Sequence, residues 1–189
     1  MTKTNKGFTL IELLVVLAIV AILSVVVILT LNPAELLKQA RDSNRVSDLS
    51  TLKSAISLYL ADYSTPFVGT STLCYISLST QSATTTKCGV FTNAAVTNTT
   101  TTAANLRKVD GTGWIPVNFA AISSGAPIGN LPVDPVNTAS LYYAYGATST
   151  LTFEIDAFME STKYANYMLN DGGNTDYAYE VGTTPGLAI

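Results

Sequence analysis

Histidine is absent from the 189 residues, and cysteine occurs only twice. The first absence removes Ser-His-Asp and Cys-His catalysis, and with them zinc sites that depend on imidazole. No C-x-x-C pair, no Gly-rich phosphate loop and no nucleophile–base pair stands in the chain, so no enzyme is expected. Charge is scarce too: 12 % of residues are charged, against about 25 % in ordinary globular domains. Ten basic and thirteen acidic residues leave −3, and loss of Lys3 and Lys6 would take the side chains to −5 (−3 − 2). Arg107-Lys108 beside Asp110 makes no basic cluster. Nucleic acid is therefore not an expected ligand, because phosphate binding needs grouped Lys and Arg.

What is abundant is apolar length. From Phe8 to Leu31 the only ionisable side chain is Glu12. About 20 apolar residues cross a bilayer core of roughly 30 Å, and in lipid such a segment satisfies its backbone only as a helix. Lys3 and Lys6 precede it with no acid, a bias that keeps the N-terminus cytoplasmic and sends the rest outward. A secretory signal has an apolar core of about 7–15 residues followed by a small-residue cleavage site. Here the run is longer and ends Ile28-Leu29-Thr30-Leu31, so any cut lies before the span.

Glu12 is the anomaly. A carboxylate at membrane depth costs roughly 2.5–3.5 kcal/mol on insertion scales and is normally partnered. No Lys or Arg lies in the span to serve. One reading has Glu12 snorkelling to the interface; the other brings its partner from outside the helix. Cleavage after Gly7 would give Phe8 a free α-amino group, a cation with an ordinary pKa of about 7.7–8.0. The amine of one copy would then neutralise Glu12 of its neighbour.

Gly7-Phe8-Thr9-Leu10-Ile11-Glu12, ahead of an unbroken apolar run, resembles the class III signal of type IV pilins and type II secretion pseudopilins. The resemblance implies cleavage between Gly7 and Phe8 by a prepilin peptidase, N-methylation of Phe8, and Glu12 as the assembly glutamate. It implies residence in the inner membrane first. An assembly platform then builds a homopolymer of the same subunit on the cell surface. The expected fold is α+β, as in type IV pilins. A long N-terminal α-helix, half transmembrane and half amphipathic, packs on a small antiparallel β-sheet.

The boundaries expected are a leader over 1–7, a transmembrane and polymerisation helix over 8–31, an amphipathic half over 32–63 and an exported head over 64–189. Pro33 lacks an N–H and its ring opposes the Leu29 carbonyl, so the helix should break around Thr30–Pro33 and restart behind Asn32. Leu36, Leu37, Ala40, Leu49, Leu52, Ile56, Tyr59, Leu60 and Tyr63 recur at three- and four-residue steps, with Arg41, Asp42, Arg45, Asp48 and Lys53 between them. That is an amphipathic stripe. At 1.5 Å per residue, an unbroken helix from Phe8 to Tyr63 would extend about 84 Å.

Ser64-Thr65-Pro66 ends the helix, and Gly69 to Gly113 reads as an exposed, Thr-rich, loop-forming insertion. Cys74 and Cys88 lie 14 residues apart in the exported part. An oxidising compartment favours one disulfide between them; two buried free thiols are the alternative. Asn98-Thr99-Thr100 is a sequon for Asn98, set against unmodified Asn and Thr. The packed domain is expected from Trp114, with a rigid turn at Leu131–Pro135. Strands are expected over Leu141–Tyr145, Leu151–Met159 and Tyr177–Val181.

Leu131-Pro132-Val133-Asp134-Pro135 with Tyr142-Tyr143-Ala144-Tyr145 resembles the major pseudopilin of type II secretion. Asp171-Gly172-Gly173 followed by Asp176 is similar to the calcium-binding C-terminal loop of that group. Asp171, Asn174 and Asp176 are thus candidate calcium ligands, a hard cation wanting six to eight oxygens; a solvated glycine turn is the alternative. The expected function is a structural subunit of an extracellular type IV pilus-like filament. The alternatives are the major pseudopilin of a type II secretion system and a minor tip pilin or adhesin.

Overall fold

The computed structural model describes residues 7–79, 88, 90–91 and 96–186. It divides into two compact units, one ending at Lys38 and one beginning at Gln39. The first is helical. Leu10–Leu31 form α1, whose stretch Leu10–Ile28 has a mean hydropathy of 3.2 and is long and apolar enough to cross a membrane. Its interior hydroxyls are satisfied within the helix: Ser24 Oγ donates to the Val20 carbonyl at 2.7 Å and Thr30 Oγ1 to that of Val26 at 3.0 Å. Asn32 then turns left-handed, with φ 40° and ψ 73°. Pro33 opens α2, Pro33–Asp62. The Glu35 and Leu36 amides donate back to the Asn32 carbonyl at 3.0 and 3.2 Å. Asn32 therefore ends one helix and begins the next, and Pro33 occupies the first position, where a missing N–H costs nothing.

From Gln39 onward α2 lies on a five-stranded sheet. The strands are β1 Leu73–Ile76, β2 Thr97–Thr99, β3 Tyr143–Ala147, β4 Phe153–Ala157 and β5 Tyr179–Gly182, in the order β2-β1-β3-β4-β5. The expected purely antiparallel sheet is corrected to a mixed one, because β1 and β2 run parallel. The segment from Gly69 to Gly113 is likewise more than an exposed insertion. It supplies both of those strands, and Val68, Leu73 and Tyr75 enter the core well before Trp114. Threonine's β-branched side chain, poor in helices, suits an edge strand. A short helix α3, Ala165–Leu169, also forms.

One core lies between α2 and the sheet. Leu49, Leu52, Ile56 and Tyr59 meet Trp114, Phe119, Leu131, Tyr143, Tyr145, Phe153 and Ile155. Each fully buried aliphatic or Phe side chain is worth about 1.5–3 kcal/mol over exposure. The buried tyrosines spend their hydroxyls locally. Tyr143 donates to Asp48 Oδ2 at 2.8 Å, Tyr145 to the Val68 carbonyl at 2.6 Å, and Trp114 Nε1 to the Pro132 carbonyl at 2.8 Å. The other sheet face carries a second cluster in which Cys74, Ile76 and Ala144 meet Phe91, Val96 and Tyr142. Cys74 and Cys88 are disulfide-bonded, tying β1 to this outer layer.

The amphipathic stripe is shorter than its spacing predicts. Leu36 and Leu37 stay exposed and belong to the first unit, while Asp42 and Arg45, expected on the polar side, are fully buried. Arg45 is held by three carboxylates: Asp42 Oδ1 at 2.7 Å, Asp134 Oδ2 at 2.6 Å and Glu160 Oε2 at 2.8 Å. Asp42 in turn accepts from the Ser161 amide and hydroxyl, at 2.8 and 2.6 Å. Asp134, inside the expected turn, also accepts from the Val136 and Asn137 amides. Burial works against the Arg45 charge, but the bonds to Asp134 and Glu160 outweigh it and raise its pKa. Arg41 and Arg45, against a smaller opposing effect of burial, hold the Glu160 carboxyl down at about 2.

Arg45→Met should lower stability by about 3–5 kcal/mol, because it strands two buried carboxylates. Urea unfolding followed by Trp114 fluorescence measures this, and a loss below about 1 kcal/mol contradicts it. Glu160 titrates near 2 when folded against an ordinary 4.5. Its contribution is therefore complete above about pH 4.5 and is lost as pH falls towards 2. Glu160→Gln should flatten that acid limb of the stability curve and leave its slope above pH 5 unchanged.

Candidate functional site

The strongest candidate site lies at the start of α1. Gly7, Phe8 and Thr9 precede the helix in non-helical backbone, and Thr9, with φ −82° and ψ 152°, is its N-cap. The Glu12 amide donates to Thr9 Oγ1 at 3.3 Å. In return Glu12 Oε2 accepts from the Thr9 amide at 2.9 Å and the Thr9 hydroxyl at 2.7 Å. This reciprocal capping box satisfies two amides that a helix start leaves without partners. The sequence reading did not single out Thr9. Its signal was legible all the same: a Thr three residues before a Glu at the head of an apolar run.

Around the cap everything is open. Phe8 is 81 % exposed, and a Cβ placed on Gly7 would meet nothing within 4 Å. The subunit's own packing thus makes no demand for glycine at position 7, and the Gly7–Phe8 bond lies clear of the helix. Glu12 is hydrogen-bonded within its own chain, but no cation among the described residues pairs with it. Phe8, Ile11, Val15 and Val16 surround it with apolar surface.

The head carries the other predicted positions. Asn98 sits on β2 only 1 % exposed, so its amide offers no solvent-facing attachment point for a glycan in this fold. Asp171, Asn174 and Asp176 each make different contacts. Asp171 accepts from the Gly173 and Glu180 amides, both at 2.8 Å; Asn174 Nδ2 donates to the Gly186 carbonyl at 3.3 Å; Asp176 is exposed.

A different acidic group converges. Glu154, Asp156 and Glu180 are buried, and one oxygen of each lies within 4.8 Å of the others. Burial first, then the Glu154 and Glu180 charges, push the Asp156 carboxyl well above the usual range. Burial raises Glu180 as well. The alternation in Leu151–Met159 placed Glu154 and Asp156 together on one face. A second apolar layer covers that face, and local alternation does not reveal it.

A family model described as the prokaryotic N-terminal methylation motif matches residues 2–28, the prepilin-type signal of type IV pilins and pseudopilins. No curated protein and no solved structure matches the chain. The motif supports a pilin- or pseudopilin-like structural subunit that is anchored in a membrane by its apolar helix.

Proposed function

We propose that the chain is a structural subunit of an extracellular type IV pilus-like filament. A prepilin peptidase cuts between Gly7 and Phe8, Phe8 is N-methylated, and an assembly platform draws α1 from the membrane into a bundle of identical helices. The observation that carries this reading is α1 itself. Its apolar side chains from Leu10 to Ile28 are exposed to an extent that only lipid or other helices can cover, and it is headed by the methylation motif.

Energetically the transfer exchanges one apolar surrounding for another, so burial by itself gives little preference for the bundle. Helix packing and polar pairing must supply it. The Phe8 amine of one copy beside Glu12 of the next provides that pairing and fixes the axial register. Among the described residues Glu12 has donors but no counter-charge, and this leaves it ready for an external cation.

The second reading is a type II secretion pseudopilin. It is favoured by the likeness of Leu131–Pro135 and Tyr142–Tyr145 to the major pseudopilin. A minor tip adhesin would differ from both in copy number relative to the main subunit.

Mass spectrometry of the mature subunit should find a chain beginning at methylated Phe8; a filament that retains residues 1–7 overturns the reading. Glu12→Val should insert in the membrane as the parent does and yield no filaments by electron microscopy. Normal filaments from that variant would remove the ion pair from the assembly mechanism. Sheared surface fibres distinguish a pilus from a pseudopilus, which stays within the envelope.

A further inference from the structure

On β4 the side chains alternate. Phe153, Ile155 and Ala157 enter the core beneath α2, and Glu154 and Asp156 take the opposite face. On β5 Glu180 is the register partner of Asp156. Three carboxylates thus occupy neighbouring positions on one sheet face, with exposures of 0 %, 0 % and 1 %. Glu180 accepts from the Thr175 amide and hydroxyl, both at 3.2 Å. Asp156 has nothing comparable: no amide, hydroxyl or cation among the described residues reaches either of its oxygens, and the side chain within its hydrogen-bonding reach is another acid, Glu154.

An ionised carboxylate buried without donors is costly enough that such groups pair, bind metal or stay protonated. Protonation of Asp156 would supply a donor for one neighbour and still leave its second oxygen without one. A cation would satisfy all three residues together. The surrounding positions leave it room. Ala144 and Gly146 of β3 face Asp156 and Glu154, and Gly182 of β5 faces Glu154. A Cβ on Gly173 would overlap the Glu180 carboxylate, so glycine there lets the loop close over the group.

We propose that Glu154, Asp156 and Glu180 bind one hard divalent cation, calcium before magnesium, seated between β4 and β5. All the ligand atoms are oxygen, which selects hard cations over zinc or copper. Oxygens bound to one calcium at about 2.3–2.6 Å can lie up to about 5 Å apart, a span that accommodates this cluster. Waters complete the shell. The cation fastens the last strand to its neighbour from the face opposite α2. The site lies on the sheet rather than in the loop over residues 171–176, and it is independent of whether the chain builds a pilus or a pseudopilus.

Isothermal calorimetry of the EDTA-stripped full-length chain in detergent, titrated with calcium chloride and separately with magnesium chloride, tests this without any variant. One calcium per chain is expected. At calcium one hundredfold above Kd, the head's unfolding temperature should rise by about 5–10 °C. Asp156→Asn should abolish calcium binding and remove the shift. In EDTA it should melt at or above the parent, because the amide can donate to the neighbouring acids where the carboxyl lacks donors. Glu180→Gln should also lose the shift, whereas Asp176→Asn, in the exposed loop, should keep it. No calcium heat at millimolar concentration overturns the site. So does tighter binding of magnesium, or a shift that survives Asp156→Asn and disappears with Asp176→Asn.

Discussion

Arg45 is the constraint that the head is built around. It lies fully buried on α2 and is held at hydrogen-bonding distance by acids from three separate places: Asp42 one turn away, Asp134 after the Leu131–Pro132 turn, and Glu160 just past β4. A guanidinium out of water is tolerable only if its fork is filled, and a planar fork accepts carboxylates from few directions. Filling it fixes where the 131–137 turn and the segment after β4 lie against the helix. The hydrophobic core supplies most of the driving force, but apolar contact is non-directional. The ion cluster, the Tyr143–Asp48 bond and the Trp114–Pro132 bond supply the direction.

The same rule acts at both ends of the chain with different outcomes. Asp42, Asp134 and Glu160 are compensated by an arginine of their own subunit. Among the described residues Glu12 is compensated by donors but not by charge, in a helix that exposes an apolar surface on all sides. Glu154, Asp156 and Glu180 are gathered where the described residues give Asp156 neither. A chain with so few charges places several of them out of water, so each uncompensated one marks a demand for something outside the subunit. At Glu12 that demand suits a neighbouring copy; in the sheet it suits an ion.

The methylation motif and α1 were legible because both are local. A motif needs only neighbours in sequence, and twenty consecutive apolar residues dictate a helix in lipid whatever follows. The break at Asn32–Pro33 was legible for the same reason, as proline's missing donor acts within one turn. The three C-terminal strands were placed to within about two residues by alternation and turn chemistry. The strands from the Thr-rich region were missed. Threonine tracts carry no apolar period; β1 pairs with β3, which starts 67 positions after β1 ends (143 − 76), and β2 pairs with β1.

The sequence by itself determined a membrane-length helix with a processing signal and one acid at its head, a helix break at proline, and an α+β head with a cystine in it. Only the tertiary structure decided which polar residues leave water. Asp42 and Arg45 sit at helical positions that would be solvent-facing if α2 met only one apolar partner. Glu154 and Asp156 alternate as an exposed strand face does. Their burial follows from which distant segment lies over them, and long-range covering leaves no trace in a local pattern.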